Sequence, residues 1–395
     1  MRLRWITAVV AVGILLAVPA PARAQSPPPA PVPGQGGLND VLIRILSNGC
    51  AELQGGGTGF GPELTQVCAG GGVASTAGAS IGAETRSGGE EQRQVYRRLR
   101  QRQAAASADT GGALSLFASV DYQNFDKDTT RFETGFRRDT VGGTFGADYL
   151  FRSGLVLGAA LSYGHEFGDY ERVGGGFDHD AYGILVYGSF VPITSMFVDA
   201  VAGYTRKNYS FDRHASFARP GFSTSGPTSG DTDGNEFKFG VNAGYDFLLG
   251  RFTVGPRVGV LYRETTIDGF RESGHTGLEL DYDNQNIQSL TTTAGIFGSV
   301  AISTGFGVIV PQATAEYVHE FLDDQRSVGF RLAQDVAQRR FLFRTDPPDR
   351  DYFNLGAGVS MVLANGFQPF VNFRELVGYN DRHSHTVTLG LRIPF

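Results

Sequence analysis

The chain reads as an all-β transmembrane barrel, twelve antiparallel strands in up-and-down order, with a helical stretch ahead of it. Three observations predict this. Glycine (55 residues) and aromatics (12%, with 30 Phe and 15 Tyr) are abundant while charged residues are only 19%, a mix suited to many strands, tight turns and aromatic belts. From Ala113 onward hydrophobicity repeats with period two. The connections between the repeating segments alternate long and short.

The elements follow in chain order. Residues 1–24 read as a secretory signal: Arg2 and Arg4 form a positive start, Trp5 to Val18 an apolar run, and Ala22-Arg23-Ala24 a small-x-small cleavage site that would leave Gln25 first. A retained anchor is the alternative, but the run is shorter than the ~20 residues a span needs. Residues 25–83 form a short Pro/Gly-rich and helical segment. Its 25–37 stretch is extended, and Leu38, Val41, Leu42, Ile45 and Leu46 give a short amphipathic helix over 38–48. A second short helix is expected from Glu63 to Ala69. Cys50 and Cys68, in an exported chain, default to one disulfide that would staple the two helices, with two free thiols as the alternative.

Residues 84–112 are a linker holding a helix at 90–107. Glu90 and Glu91 open it and Arg93, Arg97, Arg98, Arg100 and Arg102 follow, an order that complements the helix dipole. Val95, Tyr96 and Leu99 are too few to seat it on an ordinary core.

Residues 113–395 are the barrel. Twelve segments alternate: 113–123, 140–151, 155–167, 178–191, 195–206, 236–249, 251–264, 289–302, 305–319, 352–364, 367–379 and 385–395. In 237–247, Phe237, Phe239, Val241, Ala243, Tyr245 and Phe247 oppose Lys238, Gly240, Asn242, Gly244 and Asp246, the lipid-out, water-in pattern. Eleven residues of strand, at about 3.3 Å each and tilted near 40°, rise roughly 28 Å, the height of an apolar membrane band. The fourth segment is ambiguous, since Leu185 and Tyr187 compete with Ile184 and Val186 for the outer face.

Long loops are expected at 124–139, 168–177, 207–235, 265–288 and 320–351. Short turns are expected at Arg152-Ser153-Gly154, Pro192-Ile193-Thr194, Gly250, Ser303-Thr304 and Asn365-Gly366. Tight turns on one rim and long loops on the other are characteristic of outer-membrane barrels. In the last segment Val387, Leu389, Leu391, Ile393 and Phe395 alternate with small or polar residues. An exposed strand edge cannot persist in lipid, so this strand must close on the first. Its pattern resembles the C-terminal insertion signal read by the barrel-assembly machinery.

The barrel region resembles the autotransporter β-domain family. The resemblance rests on the twelve-strand count and on Val141-Gly142-Gly143-Thr144-Phe145-Gly146-Ala147-Asp148-Tyr149 followed by Gly154 and Gly158. It rests also on Pro369-Phe370 and on the terminal Leu391-Arg392-Ile393-Pro394-Phe395. It implies a bacterial outer-membrane translocator that exports or displays the N-terminal segment, with the helix before the first strand lying in the pore. Inward positions include Asp121, Asp148, Asp199, Asp246 and Glu316, which would pair with Arg93, Arg97 and Arg100 of such a helix. A basic helix solvated in the periplasm is the alternative. The chain lacks the long β-helical repeat usual in the family, and 84–112 contains no Asn for self-cleavage, so the N-terminal piece is expected to stay attached.

Catalytic and metal chemistry find no footing. Gly78-Ala79-Ser80-Ile81-Gly82 has the spacing of a nucleophile elbow but lies in a Gly/Ala linker without the strand–turn–helix it requires. His165, His179, His214, His275 and His383 fall in or near surface loops, and His383 with His385 lacks a third ligand. The expected partners are outer-membrane lipid and, during biogenesis, the secretion translocon and barrel-assembly machinery. The barrel is expected to be monomeric, with no cofactor. A formal charge of −6 gives no footprint for nucleic acid. Two other functions fit a barrel with long loops: a surface adhesin acting through 207–235, 265–288 and 320–351, and a small-solute channel.

Overall fold

The computed structural model describes residues 113–395, apart from 131, 172, 173, 194, 220, 221, 336, 337, 339 and 365. The signal peptide, both short helices, Cys50 and Cys68, the Gly78–Gly82 motif and the arginine-rich helix lie outside the described residues.

Twelve long strands form a closed antiparallel barrel. They are β1 (Leu114–Lys127), β2 (Phe136–Leu150), β3 (Val156–Tyr170), β4 (Gly175–Phe190), β5 (Met196–Arg219), β6 (Phe222–Tyr245, running on as β7, Phe247–Leu249) and β8 (Phe252–Ile267). After the short β9 (Phe270–Arg271), β10 (Ser273–Gly274) and β11 (Leu280–Tyr282) comes β12 (Gln285–Val300, continued by β13, Ile302–Thr304). Then come β14 (Gly307–Glu320), the short β15 (Ser327–Leu332) and β16 (Phe341–Arg344), and last β17 (Asp351–Leu363), β18 (Gln368–Val377) and β19 (Arg382–Pro394).

Each long strand pairs with its sequence neighbours, and β19 returns to β1 in register from Ser115↔Pro394 to Lys127↔Arg382. No ladder edge is left open to lipid, which is the condition for a sheet to span a membrane.

The alternation places apolar side chains outward and small or polar ones inward. Val120, Phe145, Leu161, Ile184, Val258 and Leu389 stand exposed on the outer wall. In an aqueous protein such a surface would be a liability; here it is the lipid-facing band. Tyr149, Phe190, Tyr245, Phe252 and Phe395 edge it on the short-turn side, and Tyr122, Tyr163, Tyr182, Tyr204 and Tyr317 on the other. The upper tyrosines reach water through polar partners: Tyr163 donates to Asp180 at 2.7 Å and Tyr204 to Asn235 at 2.6 Å. Amphipathic rings belong at this level.

The fourth strand resolves cleanly. Ile184 and Val186 face out, while Leu185 (1% exposed) and Tyr187 (4%) face in and pack with Phe117, Val156, Ala160 and Val201 into an apolar patch on the inner wall. The tight turns at Gly154 (φ +80°) and Gly250 (φ +65°) use the left-handed backbone that glycine adopts without a steric penalty. The turn expected at Ser303-Thr304 instead falls at Gly305-Phe306, because Ile302–Thr304 still pairs with Gly307–Ile309.

The expected loops need correction. Residues 207–235 are mostly strand: β5 and β6 are 24 residues each and pair from Met196↔Tyr245 to Arg219↔Phe222. Residues 265–288 and 320–351 carry β9 to β11, β15 and β16; β16, β15, β11 and β9 assemble a separate four-stranded sheet in that order, while β10 pairs with β6 of the barrel. The lipid-out rule cannot see these extensions. Beyond the membrane the pattern inverts, with Tyr209 and Phe211 buried inside and Ser210 and Asp212 outward.

Candidate functional site: the lumen and its outer mouth

The five acids singled out in the sequence all occupy inward positions, but at separate places along the wall. Asp148 and Asp199 are fully buried toward the short-turn end, where Tyr187 Oη donates to Asp148 at 3.4 Å and Ser189 Oγ to Asp199 at 2.6 Å. Asp246 pairs with Arg257, whose guanidinium lies between the rings of Phe197 and Phe297 at 4.7 and 4.9 Å. Asp121 sits against Gly142, where a side chain would collide with its carboxylate, 2.7 Å from the nearest oxygen. Glu316 lies across the lumen on β14, in a cavity of about 160 Å³ lined also by Arg257, Gln312, Asn372 and Arg374. The acids therefore do not converge on one centre; they line a tube.

Sequence reasoning missed a second charged set nearer the outer mouth. Arg138 pairs with Glu166 at 3.3 Å, and Glu236 receives Lys207 at 2.8 Å and Lys238 at 3.4 Å, all buried. The available signal was the occurrence of charged residues at inward positions of otherwise apolar strands; Lys238 lay on the polar face of 236–249 but was not read as a site. His179, expected near a surface loop, is also inside: it stacks on Tyr209 at 4.6 Å and is 4.0 Å from Glu166. His383 and His385 face outward, and His385 Nδ1 is 2.5 Å from Glu375. Among the described residues no group of three His, Cys, Asp or Glu is placed to hold a metal.

Above the charged set an aromatic core crosses the mouth. Phe125, Phe136, Phe177, Tyr209 and Phe211 project inward from the tops of β1, β2, β4 and β5 and meet Phe270, Leu280, Tyr282, Val328, Phe330 and Phe343 from the long loops. Ring contacts run from Phe136 to Phe177 at 5.5 Å on the rim, and from Phe211 to Phe270 at 5.5 Å and on to Tyr282 at 4.7 Å across the junction with the loops.

At one side Lys127 is buried among Asp346 (2.6 Å), Asp381 (3.0 Å) and Glu133 (3.4 Å). Burial alone would lower the Lys127 pKa, but these carboxylates outweigh it and hold the ammonium charged. Burial pushes Glu133 up to about 7, partly opposed by Lys127. At the other side Arg213 makes a bidentate pair with Glu272, Nε at 2.7 Å and Nη2 at 2.5 Å, and donates to the Leu278 carbonyl at 2.7 Å.

A closed barrel with a lipid-facing belt and a charged, packed lumen defines an integral membrane protein of the outer-membrane barrel class. The family model "Autotransporter beta-domain" matches residues 116–374. The chain belongs to that family. It is similar to Lipase 1 of Photorhabdus luminescens, 21% identical over 302 residues that cover 73% of this chain and 43% of that protein. It is similar also to Esterase EstA of Pseudomonas aeruginosa, 26% identical over 269 residues, 65% of this chain and 38% of that protein. The chain thus spans about two-fifths of the length of these relatives. Among solved structures, the translocator domain of autotransporter NalP from Neisseria meningitidis superposes with a TM-score of 0.58 at 16% identity, covering 77% of this chain and 98% of that one, a likeness of fold.

Proposed function

We propose that this barrel exports or displays its own short N-terminal segment, residues 25–83, and that residues 84–112 lie in the lumen as a cationic helix. The observation that carries this reading is the line of inward acids. Asp148 and Asp199 are desolvated on the wall of a pore preceded in sequence by Arg93, Arg97 and Arg100. A carboxylate held out of water calls for a cation or strong donors nearby.

Residues 1–24 act as the signal for the secretion translocon, and a Cys50–Cys68 disulfide staples the exported segment. The barrel-assembly machinery reads Val387, Leu389, Leu391, Ile393 and Phe395, and the barrel works as a monomer. No catalytic step is assigned to residues 113–395. The names lipase and esterase belong to the longer relatives. The small-solute channel is disfavoured by the aromatic core across the mouth, and no observation selects the adhesin.

Reversing Arg97 and Arg100 to Glu tests the helix. With the mouth-closing loops 268–284 and 323–350 shortened, the expected result is a rise in single-channel conductance in planar bilayers; unchanged conductance in that background would remove the helix from the pore. An epitope placed after Gln25 and shaved by protease on intact cells tests display: loss of the epitope places the segment outside, and full protection refutes export.

A further inference from the structure

The outer mouth is closed by a body with its own sheet and core. β9, β11, β15 and β16 pair with one another, and only the two-residue β10 joins this body to the barrel by a strand ladder, Ser273↔Ser229 and Gly274↔Thr228 on β6. At the ends of its two segments the body keeps single backbone hydrogen bonds to the wall, Asp268 N–H to Asp233 O at 2.9 Å and Glu320 N–H to Arg350 O at 2.7 Å, where a hinge would lie; the remaining contact is side-chain packing and side-chain hydrogen bonds. Leu280, Val328 and Phe330 share one buried apolar cluster with the inward rings of Phe125, Phe136 and Phe211, and Phe270 stacks on Phe211 at 5.5 Å. Ala215, on the inner face of β5, is 1% exposed beneath this body, while its neighbour Ser216 points outward into solvent.

Two polar latches fasten the body on separate parts of the rim. Asp346, in the loop after β16, accepts from Lys127 Nζ at 2.6 Å and from Thr130 Oγ1 at 2.7 Å. Glu272, between β9 and β10, takes the bidentate pair from Arg213. Desolvated ion pairs are a poor choice for a seal that never moves, because apolar residues of the same volume are commonly at least as stable. They are well suited to a seal that parts, since both partners regain water when separated.

We propose that residues 268–284, 323–335 and 340–350 form a lid, seated on the aromatic ring of the barrel rim, latched by Lys127–Asp346 and Arg213–Glu272, that opens as a unit to uncover the lumen. A folded lid that lifts breaks one two-residue ladder and side-chain contacts while all twelve wall strands keep their pairing. This goes beyond the translocator reading, and its test reads the lid alone, whatever occupies the pore.

The test uses the full chain in intact cells, with Cys50→Ser and Cys68→Ser to clear the background. Ala215→Cys or Ser216→Cys is labelled with a membrane-impermeant maleimide. With the lid seated, Ala215→Cys is expected to label at least about tenfold more slowly than Ser216→Cys. Adding Glu272→Gln and Asp346→Asn is expected to speed Ala215→Cys by about tenfold and leave Ser216→Cys unchanged. Ser229→Cys with Ser273→Cys, whose native hydroxyls lie 3.1 Å apart, should restore slow labelling when oxidised and release it when reduced. If the latch variant fails to fold, as judged by heat-modifiable gel mobility, Leu280→Ala on the lid underside replaces it. Equal labelling at 215 and 216 in the otherwise natural chain would show that no lid is seated. Slow labelling that persists in a folded latch variant would show a fixed plug, and either result overturns the proposal.

Discussion

Glu133 shows how a single side chain ties the outer mouth to pH. Its carboxyl is buried beside Lys127, Asp346 and Arg382, and burial raises it from an ordinary 4.5 to about 7. Between those values the folded state holds a proton that the unfolded chain has released, so stability rises as pH falls and is lost as pH climbs through about 7. Hydrogen exchange across loop 128–135, corrected for intrinsic rates, should therefore be at least about tenfold slower at pH 5 than at pH 8, since one unit of pKa is worth ~1.4 kcal/mol. Glu133→Gln should flatten that dependence; an unchanged slope would assign it elsewhere. On the opposite face, Leu161 is 61% exposed at the middle of the lipid belt. Leu161→Arg should cost about 2–4 kcal/mol in vesicle refolding, whereas His383→Arg, outward above the belt, should cost under about 0.5 kcal/mol. Equal costs would mean the belt has been placed wrongly. Residue by residue, the lipid face was readable because period-two alternation names it directly. Leu185 and Tyr187 were not, because an apolar lumen patch makes both faces of β4 look like the outside.

At the scale of elements, what could be read and what could not divide at the membrane surface. The sequence showed twelve strands and the rims of short turns because lipid demands one chemistry outside and tolerates another inside. Above the upper tyrosines the solvent is water on the outer face and a protein core within, so the alternation continues with its sense reversed. Tyr209, Phe211 and Ala215 point in while Ser210, Asp212 and His214 point out. Gly, Ser and Asp in 207–235 then resemble loop, although that stretch is two long paired strands. The lid sheet was illegible for a further reason: its pairing, β16-β15-β11-β9, joins loops separated by a whole barrel hairpin. Phe211 stacks on Phe270 across this junction at 5.5 Å. Phe211→Ala should cost about 3–5 kcal/mol of local stability and make the lid loops cleavable by added protease while the barrel core survives. A lid that remains resistant would show that the aromatic core is not what seats it.

For the whole molecule, the central claim is closure: the last strand must pair with the first, because an open sheet edge has no place in lipid. The lumen acids, the lid and the translocator reading all presuppose that closed wall. Both β1 and β19 were found from sequence, but their register was not, since alternation specifies a face and not a partner. The structure sets Asn124 opposite His385, both outward just beyond the lipid belt, at the seam where the two ends of the barrel sequence meet. Oxidative cross-linking of Asn124→Cys with His385→Cys, in isolated outer membranes of cells carrying Cys50→Ser and Cys68→Ser, tests the seam directly. A disulfide within one chain, seen as a reducible gel shift without dimer, is the predicted result; no cross-link, or one that joins two chains, would contradict the closed barrel.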